Sequence, residues 1–283
     1  MSRHAEKLLE FDKLKEIVSG FTTCAPGRRA ILSLSPQLDV STLNSEFTLI
    51  REAVAYLRPG AEMGFGSLAD PEPWLVQLAM PASVLSSADL LDVASLMDTA
   101  NGVKQTFKGE TAKYPRLAEK AAAFADFRHL LSAVRRAILP NGEISDDASP
   151  QLRRIRTGIG QARDKIQKSL ESILRARGEP TGEDYITLRN DRFVIPVRAG
   201  DRRAVPGVVH AASATGQTVF VEPLEAIDLN NRLVQLSEEE IAEIARILAE
   251  LTEQVRSYRG PLESAAAGIA HFDSVFARAR FAR

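Results

Sequence analysis

The chain has 283 residues, 45% of them hydrophobic and 26% charged, with a formal net charge of −1. That length suits a folded core with one or two appendages, and the near-neutral balance decides nothing about an anionic partner. The single cysteine, Cys24, excludes an internal disulfide framework and a cysteine-based metal cluster, and fits a reducing cytoplasm.

Met1 to Glu10 lacks the apolar run of a secretory signal, and no stretch of about 18 apolar residues offers a membrane span. From Ala5 to Leu139 apolar residues recur at three and four. That spacing predicts helices broken at Cys24–Gly27, Leu34–Pro36, Arg58–Gly60, Asp70–Pro73 and Asn101–Gly102. Ser35-Pro36 and Ser87-Ala-Asp89 read as helix starts. Trp74, next to Pro73, reads as a core plug and not as a stacking platform. Long helices with short connections predict a bundle.

Pro150 suits a first helical position, so a long helix is expected from there to about Arg177, stopping at Gly178-Glu-Pro180. Leu152, Ile159, Ile166 and Ile173 fall seven apart, with Ile155, Ala162, Ser169 and Ala176 as a second seam. Gly158 and Gly160, each costing on the order of 1 kcal/mol against alanine in a helix, suggest a bend. A second long helix is expected after Glu222-Pro223, running to about Tyr258 and ending at Arg259-Gly-Pro261. Its seams read Ile227, Val234, Ile241, Leu248, Val255 and Asn230, Ser237, Ile244, Leu251, Tyr258. Residues 151–177 carry eight basic against two acidic side chains, and residues 222–256 nine acidic against three basic. Opposite charge favours pairing these two helices over self-pairing.

Between them the period switches to two. Tyr185–Leu188, Phe193–Val197, Val205–His210 and Thr218–Val221 read as strands, with turns at Asn190-Asp191, Gly200-Asp201 and Thr215-Gly216. Pro196 and Pro206 are confined to edges or bulges. From Leu262 the chain is helical again, and its end on Arg278, Arg280 and Arg283 reads as a truncation. The expectation is a mainly α fold: a helical core (1–145) and an antiparallel two-helix arm (146–180 and 223–260). The arm carries a small antiparallel β unit at its tip (181–222), and a helical return (261–283) follows.

The β unit carries Arg189, Arg192, Arg198, Arg202 and Arg203 against Asp191 and Asp201. Arginines on exposed hairpins suit phosphate contacts, and equally suit a solvated face that blunts exposed strand edges. His210, Gln217 and Glu222 read as turn and rim residues, since no nucleophile or metal-ligand spacing surrounds them. His4, His129 and His271 are isolated. Gly158-Ile-Gly160 and Gly64-Phe-Gly66 follow no strand and are not phosphate loops. Asp146-Asp147 fits a helix start, and Glu238–Glu240 a solvated helix face that also pairs with the basic helix. No catalytic or metal-binding set is expected in this chain, which reads as not itself an enzyme.

Four segments carry a resemblance: LEFDKLKEIVSGF (9–21), GEISDDASPQLRRIR (142–156), RNDRFVIPVRAGDRRAVPGVVHAASATGQTVFVEPLEAIDLNN (189–231) and FDSVFARARFA (272–282). Together they resemble the second bacterial branch of the MutS family, the MutS-like endonucleases with a C-terminal Smr domain. The resemblance implies a helical core, a lever of paired helices and a clamp at its tip. It implies further, in the intact protein, an ABC-type ATPase using ATP and Mg, a nuclease domain, and a homodimer. None of the ATPase or nuclease sequence is present here, nor the mismatch-recognition and connector domains. The family's association with branched DNA, restraint of recombination and rescue of collided ribosomes makes DNA or ribosomal RNA the implied partner. Arg189, Arg192, Arg198, Arg202 and Arg203 match the clamp and are the candidates for that contact. A protein-interaction or dimerisation scaffold without nucleic-acid contact is the alternative.

Overall fold

The computed structural model describes residues 9–58, 60–66, 68–178 and 186–283. His4 and Tyr185 therefore lie outside the described residues. In chain order the first helices are α1 (Phe11–Ser19), α2 (Ala25–Leu32), α3 (Val40–Leu57), α4 (Glu72–Ala79), α5 (Ser87–Thr106), α6 (Pro115–Ala122) and α7 (Arg128–Ala137). There follow α8 (Pro150–Ala176), strands β1 (Thr187–Arg189), β2 (Arg192–Arg198), β3 (Gly207–Ala212) and β4 (Thr218–Pro223), then α9 (Leu224–Ser257) and α10 (Arg259–Phe281). Two compact units result: one from the residues through Ser145 together with Leu248–Arg283, the other from Asp146–Ile247. The fold is mainly α with a small antiparallel sheet.

In the first unit, starts follow capping chemistry. Ser86 Oγ accepts from the Asp89 N–H at 3.2 Å and Asp89 accepts from the Ser86 N–H at 3.1 Å, a reciprocal box that starts α5 with its cap one residue before the Ser87 read from the sequence. The expected start at Ser35-Pro36 is wrong. Asp39 takes the Thr42 N–H at 2.7 Å and opens α3 there, while Gln37 Oε1 accepts the N–H groups of Leu38 and Asp39 and holds the entry extended. Trp74 is 2% exposed, as a core plug should be.

Helix α10 is the axis of this unit. Leu262, Ile269, Phe272, Val275 and Phe276 are buried, and Phe272 and Phe276 join Tyr56, Phe107 and Tyr114 in an aromatic cluster with centroids 5.5–6.3 Å apart. Asp273, fully buried, accepts the N–H of Thr23 at 2.9 Å and of Cys24 at 3.0 Å, so a side chain of α10 satisfies the orphan donors at the start of α2. Gly27 permits this approach, because a Cβ there would lie 2.1 Å from the Asp273 carboxylate. Burial, reinforced by the Asp273 charge, pushes the Cys24 thiol up to about 12.

In the second unit α8 and α9 run antiparallel. Ser149 Oγ donates to Glu243 at 2.6 Å, Arg156 pairs with Glu240 at 2.7 Å, and Leu236 lies 3.4 Å from where a Gly158 Cβ would stand. The α8 seam is Leu152, Ile155, Ile159, Ala162 and Ile166 as read from the sequence. It then continues through Leu170 and Leu174 instead of Ser169 and Ile173, two four-residue steps that shift the stripe round the helix. In α9 the expected leading seam holds at Val255, which is fully buried, and is off by one before it. Ala226, Asn230, Leu233, Leu236 and Ile247 are buried, while Ile241 is 70% exposed. Ala226, Leu233 and Leu236 belong to one buried cluster with Leu170 and Leu174 of α8 and with Ile195, Val197 and Val221 of the sheet. Each such buried Leu, Ile or Val contributes roughly 1.5–3 kcal/mol. Gly158 and Gly160 lie within the unbroken helix α8, and Leu236 packs against the Gly158 side.

The sheet order is β1-β2-β4-β3, all antiparallel. Ile195, Val197, Val209, Val219 and Val221 face the helices. Pro196 lies in a central strand, yet β1 pairs only with residues 192–194, so its missing N–H falls where β2 is locally an edge.

Candidate nucleic-acid interface

Asn190 and Asp191 close the β1–β2 hairpin with φ of 51° and 59°, the two left-handed residues of a type I′ turn. That turn sets Arg189 opposite Arg192. The Arg189 guanidinium stands 4.4 Å over the Phe220 ring and donates to Thr187 Oγ1 at 3.0 Å. Arg192 turns inward. Its Nη1 donates to Glu222 at 2.9 Å and its Nη2 to Asn231 at 2.7 Å.

Glu222 is therefore no rim residue, as the sequence had suggested. It is 2% exposed, and besides Arg192 it accepts from Asn230 Nδ2 at 2.9 Å, while His210 Nε2 lies 2.7 Å from its other oxygen. Burial works to raise its carboxyl, but the hydrogen bonds from Arg192, His210 and Asn230 outweigh it and hold the group below the usual carboxylate range. His210 reaches Glu222 because the β3–β4 register slips between Val209 and Ala211, making His210 the bulged residue. Asn230 also brackets Phe193, accepting from its N–H at 3.0 Å and donating to its carbonyl at 3.0 Å. The β2–β4 pairing begins only at Ile195 and Val221, so the Asn230 amide takes up the Phe193 backbone groups where β4 does not. The sequence held one signal for this node: Asn230 is a polar residue on a helix seam.

The other arginines are different. Arg198 ends β2, and Arg202 and Arg203 lie on a 3-10 turn, Ala199–Ala204, held by the Ala199 N–H to Gln217 carbonyl bond at 2.9 Å and by buried Val205. All three are exposed, and among the described residues no hydrogen bond or ion pair engages their guanidinium groups. The five candidates thus divide into two that help build the sheet, Arg189 and Arg192, and three that offer charge to solvent.

No family model matches the chain. Curated proteins do. Endonuclease MutS2 of Thermomicrobium roseum is 33% identical over 285 residues, covering 100% of this chain and 36% of that protein. Endonuclease MutS2 of Geobacillus thermodenitrificans is 36% identical over 288 residues, covering 100% and 37%. That of Thermotoga petrophila is 36% identical over 277 residues, covering 97% and 36%. The chain belongs to the MutS2-like branch of the MutS family. It spans little more than a third of the length of these MutS2 relatives.

Gly158 and Gly160 lie inside α8, Gly64 and Gly66 follow no strand, and among the described residues no group of three His, Cys, Asp or Glu side chains could hold a metal. Among the described residues no helix is long and apolar enough to cross a membrane.

Proposed function

We propose that the chain is the lever and clamp region of a cytoplasmic MutS2-like protein, and that its sheet grips the phosphate backbone of nucleic acid. The observation that carries this is the trio Arg198, Arg202 and Arg203, at the end of β2 and on the turn that follows it, exposed and without a hydrogen-bond or ion-pair partner among the described residues. Point cations held on a rigid element suit backbone contact without base readout. In this proposal the chain itself is non-catalytic. ATP and Mg belong to an ATPase domain and phosphodiester cleavage to a nuclease domain of the longer protein, which acts as a homodimer. ATP-driven changes swing its levers, and the two clamps close around branched DNA or ribosomal RNA.

The test is binding of the chain to duplex DNA, a branched junction and ribosomal RNA across a salt series, beside Arg198→Ala/Arg202→Ala/Arg203→Ala. Phosphate contacts give affinity that falls steeply with salt, by a log–log slope of about 0.9 per contact on B-DNA, and the triple variant is expected to lose it. One observation favours a protein-interaction scaffold instead: Ile241 is 70% exposed on α9. Salt-insensitive association through that residue, with no nucleic-acid binding at low salt, would replace the proposal.

A further inference from the structure

Helix α8 carries seven basic and two acidic residues between Pro150 and Ala176, and only part of that charge serves the pairing with α9. Arg156 pairs with Glu240 and Asp146, Arg153 with Asp147, and Arg175 with Glu171. Arg154, Lys165 and Lys168 are exposed, and among the described residues nothing partners them. With the buried seam at Leu152, Ile155, Ile159, Ala162 and Ile166, the helical period places Arg154, Gln161, Lys165 and Lys168 on one stripe turned away from it, whose Arg154 and Gln161 border Arg232 and Glu239 of α9. Asp164 stands one turn before Lys168 on that side, so the stripe and its neighbour together carry a net charge of +2. The face holds no aromatic residue, and α8 contains none at all, so it offers no platform on which a splayed base of a single strand could stack.

We propose that this outward face of α8 is a second contact for double-stranded DNA, laying the duplex backbone along Arg154, Lys165 and Lys168. This deepens the nucleic-acid reading above and rests on the chain binding nucleic acid, whichever element grips it. From Arg154 to Lys168 the helix rises about 21 Å, and a duplex alongside presents one charge per ~1.7 Å, so each cation meets a phosphate without demanding a sequence. The partner helix makes the contact one-sided. Through Ile247, α9 carries six acidic against two basic residues, and Glu225, Asp228 and Glu238 are exposed and unpaired among the described residues, so that face repels what α8 attracts.

The experiment measures binding of a 30-base-pair DNA duplex by the chain between 50 and 200 mM salt. It compares wild type, the α8 variant Arg154→Ala/Lys165→Ala/Lys168→Ala, and the sheet variant Arg198→Ala/Arg202→Ala/Arg203→Ala, with circular dichroism confirming equal helix content. The α8 variant is expected to flatten the log–log salt slope by about 2.7, so that it loses about 40-fold less affinity than wild type over that range. A wild-type slope in the α8 variant overturns the proposal while leaving the sheet reading intact if the sheet variant still loses binding. The reverse pattern sinks the sheet reading and supports this one. Equal slope losses from Lys165→Ala and from Arg163→Ala, an exposed cation beside the seam, would reduce the effect to net charge and overturn it. Tighter, α8-dependent binding of an RNA duplex overturns the choice of DNA.

Discussion

Replacing Glu222 by alanine tests the buried node that orders the sheet. The change removes one carboxylate and leaves Arg192, Asn230 and His210 without the acceptor they share. Breaking a buried pair by deleting one partner costs about 3–5 kcal/mol, and Arg192, with its side chain 25% exposed, recovers some hydration, which places Glu222→Ala near the lower end, at about 3 kcal/mol. Hydrogen exchange reads this locally: amides of Val197, Val219 and Val221 are expected to exchange roughly 150-fold faster through the opening of this unit, at 1.36 kcal/mol per tenfold. Trp74, in the other unit, serves as a fluorescence control. The pH dependence has a definite sign. Because the folded carboxyl lies below its unfolded value, the advantage of wild type over Glu222→Gln is present above the unfolded value and fades as pH falls through the folded one. Exchange unchanged within a factor of two in Glu222→Ala would refute the idea that this node holds the sheet together.

Gly27→Ala drives a Cβ into the Asp273 carboxylate and is expected to lower stability by about 1–3 kcal/mol, read by thermal melting with Trp74 fluorescence. The Cys24 thiol, pushed up to about 12, should be inert to a thiol reagent at neutral pH in the native protein and react once denatured. Gly160→Ala has open space for its Cβ in mid-helix and is expected to stabilise by about 1 kcal/mol in denaturant titrations of the second unit. Hydrogen bonds from His271 and Arg278 hold Glu46 at about 2, so the stability it adds over Glu46→Gln should be full above the ordinary carboxylate value and disappear as pH falls toward 2.

The elements were legible where local chemistry decides them. The Ser86 box, Pro150 at a helix start, the Asn190-Asp191 turn and the two-residue period of the strands all lie in the chain itself. The errors share a cause, which is a partner distant in sequence. The buried side of α9 joins a cluster with sheet residues that precede it, and an Ile-rich heptad alone could not reveal that Ile241 faces solvent. Glu222 looked like rim because its partners come from a hairpin 30 residues upstream, from a bulge at His210 and from the next helix. Among the candidate arginines the sequence supplied the set, while only the structure separates Arg189 and Arg192, engaged within the sheet, from Arg198, Arg202 and Arg203.

The most direct measurement of whether the sheet binds nucleic acid is the side-chain NMR signal of each arginine as duplex or branched DNA is added to the chain. The account predicts that the Nε–H resonances of Arg198, Arg202 and Arg203 shift while that of Arg192, held by Glu222, stays in place. Shifts confined to residues around Ile241, or none at low salt, would contradict it.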